Sequence, residues 1–80
     1  MESIKLKTLN DLTQGQSARI SCYLPRFAAA RRLMELGLMP GTTVRFVKSA
    51  PLGDPIALEV EGRHLSLRRR DAAQITVKAL

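Results

Sequence analysis

A chain of 80 residues with 13 Lys and Arg against 7 Asp and Glu, a net charge of +6 and a single cysteine is too short for a second domain or a deep catalytic cleft, and its one thiol cannot staple the fold internally. The opening MESIKLK lacks the apolar core of a secretory signal and no uncharged apolar run reaches the ~18 residues of a membrane span, so the sequence predicts one cytoplasmic domain over residues 1–80. The positive balance points to an anionic partner, whether nucleic acid, an acidic protein face or charged lipid, unless it serves solubility alone.

Leu6, Leu9 and Leu12 are spaced for one helical turn, which Gln14-Gly15-Gln16 breaks. Ala18, Ile20, Cys22 and Leu24 then alternate with Ser17, Arg19, Ser21 and Tyr23, the period of a strand with one apolar face. That phase buries Cys22 as a small hydrophobe instead of presenting a reactive thiol. Pro25 has no donor to lose at a helix start, and a helix is predicted over 26–36, with Phe27, Ala30, Leu33 and Met34 inward and Arg31, Arg32 and Glu35 mostly outside.

The helix stops at a corner. Gly37 follows the cap, where a left-handed conformation costs least, and Leu38 folds back onto Leu33. In Met39-Pro40-Gly41-Thr42, Pro40 has its φ preset and Gly41 stands where a type II turn needs φ above zero. A phosphate-cradling loop runs the other way, from a strand through glycines into a helix with Lys followed by Ser or Thr, so Gly37, Pro40 and Gly41 read as structural.

A second strand follows, with Val44 and Phe46 alternating against Arg45 and Lys48, and Val47 breaking the rhythm. Pro51, Gly53 and Pro55 mark a loop in which Asp54 is extended ahead of a proline. Ile56, Leu58 and Val60 alternate with Ala57 and Glu59, and Glu61-Gly62 separates them from Leu65 and Leu67, predicting a hairpin. LRRRDAA then forms a basic step, and Ile75 and Val77 supply a last strand. About five short strands, one helix inserted after the first, and no parallel βαβ rhythm predict a mainly β fold, a small, strongly bent antiparallel barrel of SH3 type.

The run RRLMELGLMPGTTVRFVKSAPLGDPIALEVEGRHLSLRRRDAAQITV closely resembles the FeoA family, ferrous iron transport protein A. Its most specific parts are the corner at 36–41, the APLGDP loop at 50–55 and the LRRRDA element at 67–72, in matching spacing. The resemblance implies an SH3-like fold, no enzymatic activity, and an accessory or regulatory role beside FeoB, the membrane protein that carries ferrous iron and bears a cytoplasmic GTP-binding domain. FeoB would then be the partner, and the membrane is met only through it.

The residues themselves offer little for metal chemistry. Ferrous iron takes several convergent imidazole or carboxylate ligands. The one histidine, His64, falls on the outward face of its hairpin strand, and Asp54, Glu59, Glu61 and Asp71 share no recurring ligand spacing. No metal site, cofactor or catalytic residue is predicted, and Cys22 has no base in a recognisable signature. One Tyr and no Trp disfavour both a proline-peptide groove and base stacking.

The candidate partner-binding residues are Leu52 and Asp54 in the proline-stiffened loop, with Arg68, Arg69 and Arg70 as a source of long-range attraction. Leu52 sits at the loop tip, where no alternation directs it to the core, and Gly53 is a structural turn residue. Leu52 folded under the loop as a lid is an equal alternative. A basic barrel binding RNA or the ribosome is the rival function, weakened by the scatter of the other cations along the chain. Free barrel edges leave a homo-oligomer open.

Overall fold

The computed structural model describes residues 7–80. In chain order these form β1 (Lys7–Thr8), a 3-10 turn (Leu9–Asp11), β2 (Ser17–Tyr23), α1 (Ala30–Glu35), β3 (Thr43–Ser49), β4 (Ile56–Val60), β5 (Arg63–Leu67), α2 (Arg69–Ala72) and β6 (Ile75–Ala79). The strands make one antiparallel sheet of 6 strands ordered β1-β6-β2-β3-β4-β5. The predicted mainly β, antiparallel class holds, with two additions. One is β1, which pairs Lys7 with Val77 and Thr8 with Thr76. The other is the single turn of α2 in the basic step, where the Arg68 carbonyl accepts from Asp71 at 3.0 Å and Ala72 at 2.9 Å. The turn predicted from Leu6, Leu9 and Leu12 is present at Leu9–Asp11; Leu6 lies outside the described residues.

Alternation works where the pleat is unbroken. In β4 the pattern is strict: Ile56, Leu58 and Val60 are buried while Ala57 and Glu59 are half-buried. In β2 it fails halfway. Ala18 and Ile20 are buried, but the register with β6 shifts between Ile20 and Cys22, and Cys22 emerges exposed. The expectation that Cys22 belongs to the apolar face is therefore corrected, because one extra residue in a bulged strand moves everything after it to the other side. Thr76 of β6 fills the bulge. Its hydroxyl donates to the Cys22 carbonyl at 2.9 Å and accepts the Cys22 N–H at 3.2 Å, with the Cys22 sulfur 3.1 Å away. These bonds satisfy the one buried polar side chain among the described residues. A second shift, between Phe46 and Lys48 of β3, accounts for the broken rhythm at Val47.

The predicted helix is shorter than 26–36. Arg26 takes φ 67° and the chain turns once more, Ala30 N–H to Phe27 C=O at 3.1 Å, before α1 begins without a side-chain cap. Phe27, expected on the helix stripe, instead packs half-buried on Tyr23, with ring centroids 6.2 Å apart and planes 15° from parallel. The corner is as expected. Gly37 has φ 111°, its N–H reaches Met34 C=O at 3.0 Å and the Leu38 N–H reaches Leu33 C=O at 3.2 Å, the paired bonds of a Schellman stop. Leu33 and Leu38 are both buried in the core cluster. Thr42 N–H closes on Met39 C=O at 3.0 Å around Gly41, φ 92°, and the Gly41 N–H bonds Ile20 C=O at 2.7 Å, which seats the turn on β2.

Candidate partner-docking site

The APLGDP loop between β3 and β4 is closed by two backbone bonds, Ala50 N–H to Pro55 C=O at 2.9 Å and Gly53 N–H to Ala50 C=O at 2.7 Å. Gly53, at φ 92°, makes the turn, and the Asp54–Pro55 peptide is cis. Leu52 stands at the tip with 96% of its surface exposed, so the lid alternative is set aside. Asp54 turns back towards the fold, and its Oδ1 accepts the backbone N–H of Arg69 at 3.0 Å. That N–H opens α2 and would otherwise have no partner.

Arg69 holds this loop from beneath. Its Nε donates to the Gly53 carbonyl, and its Nη1 donates to Asn10 Oδ1 at 2.9 Å and the Asn10 carbonyl at 3.4 Å. The guanidinium also lies 5.9 Å from the centre of the Phe46 ring. The 3-10 turn that presents Asn10 is fixed by its own capping box, in which Thr8 N–H donates to Asp11 Oδ2 at 2.9 Å and Asn10 N–H donates to Thr8 Oγ1 at 3.2 Å. One planar five-donor group thus joins the loop, the 3-10 turn and α2. The neighbouring Arg68 and Arg70 are exposed and have no ion-pair partner among the described residues.

The candidates named from sequence therefore separate. Leu52, Arg68 and Arg70 are exposed to solvent, while Asp54, itself exposed, and half-buried Arg69 are bonded into the contacts that hold the loop. Gly37, Pro40 and Gly41 belong to the corner, Gly53 to the loop turn. Sequence reasoning missed Asn10, although Thr8-Leu9-Asn10-Asp11 carries the Thr-x-x-Asp spacing of a capping box. It also missed Arg63, whose Nη2 donates to the Leu36 carbonyl at 3.0 Å. No local signal marks that long-range contact.

Elsewhere, Tyr23 donates its hydroxyl to Leu38 C=O at 2.7 Å, and burial pushes its pKa from 10.0 up to about 12. His64 is exposed, as expected, and its cross-strand partner Glu59 pairs with Arg45 at 3.0 Å. Among the described residues no three His, Cys, Asp or Glu side chains converge on a metal position, and no helix is long and apolar enough to cross a membrane.

Residues 7–79 match the FeoA domain family. The chain belongs to the FeoA family. It is 36% identical over 72 residues to a Fe(2+) transport protein A/Fe(2+) transporter FeoB fusion protein of Porphyromonas gingivalis, covering 90% of this chain and 8% of that protein. The chain thus spans a small fraction of that relative's length. The solution structure of FeoA from Chlorobium tepidum shares 40% identity at a TM-score of 0.84, over 91% of this chain and 70% of that one. FeoA of Stenotrophomonas maltophilia, solved in complex with zinc and described as a prokaryotic SH3 domain protein, shares 33% identity at a TM-score of 0.77, over 89% of this chain and 88% of that one. The fold is accordingly the SH3-like FeoA fold, and the FeoA family comprises non-enzymatic accessory proteins of ferrous iron transport.

Proposed function

We propose that this FeoA protein acts in the bacterial cytoplasm by docking on the cytoplasmic GTP-binding part of FeoB, with Leu52 as the apolar anchor and Arg68 and Arg70 as the steering charges. The observation that carries the reading is a leucine 96% exposed on a loop that is already ordered by its own backbone bonds and by Arg69. An anchor on a preset loop loses little entropy when a partner covers it. Joining of FeoA and FeoB sequences in one relative supports association of the two.

The test is binding of the purified FeoB cytoplasmic domain to this chain and its variants. Leu52→Asp, shown to be folded by circular dichroism and melting, is expected to weaken binding at least about tenfold through faster dissociation, as interface changes mostly do. Arg68→Glu and Arg70→Glu should chiefly slow association at low salt. A Leu52→Asp protein that folds and binds like the parent defeats the anchor. Binding to duplex or RNA that falls steeply with salt, without binding to the FeoB domain, would favour the nucleic-acid reading instead.

A further inference from the structure

β5 is the last strand in the sheet order, and its outer edge has no strand partner among the described residues. The β4–β5 hairpin turns at Glu61-Gly62, φ 50° and 80°, with Val60 opposite Arg63. In such a two-residue turn the flanking pair exchanges both hydrogen bonds, and the pairs alternate from there. The peptide groups of Arg63, Leu65 and Leu67 therefore face β4, while those of His64 and Ser66 point away from the sheet. Neither the His64 nor the Ser66 N–H has a protein acceptor among the described residues.

Beside Ser66 the outward face dips into a depression of about 380 Å³ lined by Lys48, Ala50, Pro51, Pro55, Ala57 and Ser66. Lys48, Ala57 and Ser66 are in register across β3, β4 and β5 and form its floor. The two prolines of the APLGDP loop wall it. An edge with free peptide groups beside a pocket for one side chain is the geometry by which extended segments are bound: main-chain bonds supply affinity and the pocket selects.

Charge chooses the occupant. Arg63, its guanidinium bonded to the Leu36 carbonyl but still exposed, lies at one end of the edge, exposed Arg68 and Arg70 at the other, and Lys48 across the depression. Of the nearby acids, Glu59 is paired with Arg45 and Asp54 is bonded to the Arg69 N–H, which leaves Glu61 in the turn and Asp71 in α2 against Lys48, Arg63, Arg68 and Arg70. Antiparallel pairing of β5 with a second copy of itself would set the Arg63 of each copy against the Arg68 end of the other, an arrangement that like charges oppose. We infer that the β5 edge accepts an acidic, extended segment of a partner protein as a seventh strand, with one of its side chains seated in the depression. The inference deepens the docking reading, since the Leu67 end of this edge lies beside Ile56, where the loop that carries Leu52 ends.

The experiment is amide hydrogen exchange on the whole chain, with two probes. The first is a short capped peptide alternating threonine and glutamate, with a threonine–lysine peptide as control. At saturation the acidic peptide should slow exchange at the His64 and Ser66 amides at least about tenfold, the lysine peptide should not, and Ser66→Pro or His64→Pro should abolish the effect while melting near the parent, because proline is tolerated where the N–H faces outward on an edge. Equal protection by both peptides, or none by the acidic one, overturns the inference. Should a proline variant fail to fold, the exchange map of the parent decides alone.

The second probe is the FeoB cytoplasmic domain. A complex that protects the same two amides supports strand addition. One that leaves them exchanging freely overturns it while the docking reading stands. Absence of any complex defeats docking, and the peptide result still decides the edge.

Discussion

Arg63 donates a hydrogen bond of 3.0 Å to the carbonyl of Leu36, 27 positions earlier in the chain, and so closes the end of α1 with a side chain from the opposite hairpin. The guanidinium occupies the place that a Cβ on residue 37 would need. Gly37 is thus required for its φ of 111°, and a Cβ there would also push the exposed Arg63 guanidinium aside. Gly41, at φ 92°, has open space in that direction.

Gly37→Ala is expected to cost about 1–3 kcal/mol and Gly41→Ala less, because only the first also displaces the Arg63 guanidinium from the Leu36 carbonyl. In an Arg63→Ala background the Gly37→Ala penalty should shrink. A double-mutant cycle by urea unfolding measures the coupling, and additive losses would show that the guanidinium does not constrain residue 37.

Tyr23 makes stability depend on alkaline pH. Burial raises its pKa from 10.0 to about 12 in the folded protein. The unfolded chain therefore releases this proton first, and the tyrosine's contribution is complete below 10.0 and lost as pH rises through about 12. Tyr23→Phe should remove that part of the alkaline loss while costing about 1 kcal/mol at neutral pH for the missing bond to Leu38. Denaturant titrations across the alkaline range compare the two proteins.

Arg69→Lys keeps the charge but cannot reach Gly53 and Asn10 together with a single ammonium. We expect a loss of about 1–2 kcal/mol and faster hydrogen exchange at the Ala50 and Gly53 amides, which close the loop. Unchanged exchange there would mean that the loop's own backbone bonds suffice to order it.

Cys22 should react with a thiol reagent such as dithionitrobenzoate in the native protein, without denaturant, because the bulge has turned it outward. Thr76→Val removes the hydroxyl that bonds both backbone groups of Cys22 and is expected to cost about 1 kcal/mol, with Thr76→Ser retaining most of the stability. A native thiol that labels only after unfolding would return Cys22 to the interior.

What could be read from the sequence divides along the range of the forces involved. The Gly37 stop, the Gly41 turn, the Glu61-Gly62 hairpin and the alternation of β4 are decided by neighbours within a few residues, and each is legible in one line of text. The phase of Cys22 is not, because a bulge shows only as a strand whose partner is unknown, and its partner is Thr76 at the far end of the chain. Arg69 looks like one of three equivalent arginines until the fold brings Asn10, Phe46 and Gly53 around it. Leu52 reads equally as lid or anchor because loop residues obey no period, and only its surroundings in three dimensions decide.

The pairing of Lys7 with Val77 sets the way into the sheet directly beside the way out. The start of β1 and the end of β6 lie together at one end of the sheet. Such a unit can be spliced into a longer protein by short linkers at either side with its internal hydrogen bonds untouched. That portability suits a module that also occurs within a much longer FeoA/FeoB fusion relative, where joining in one chain raises the effective concentration of the two parts for each other.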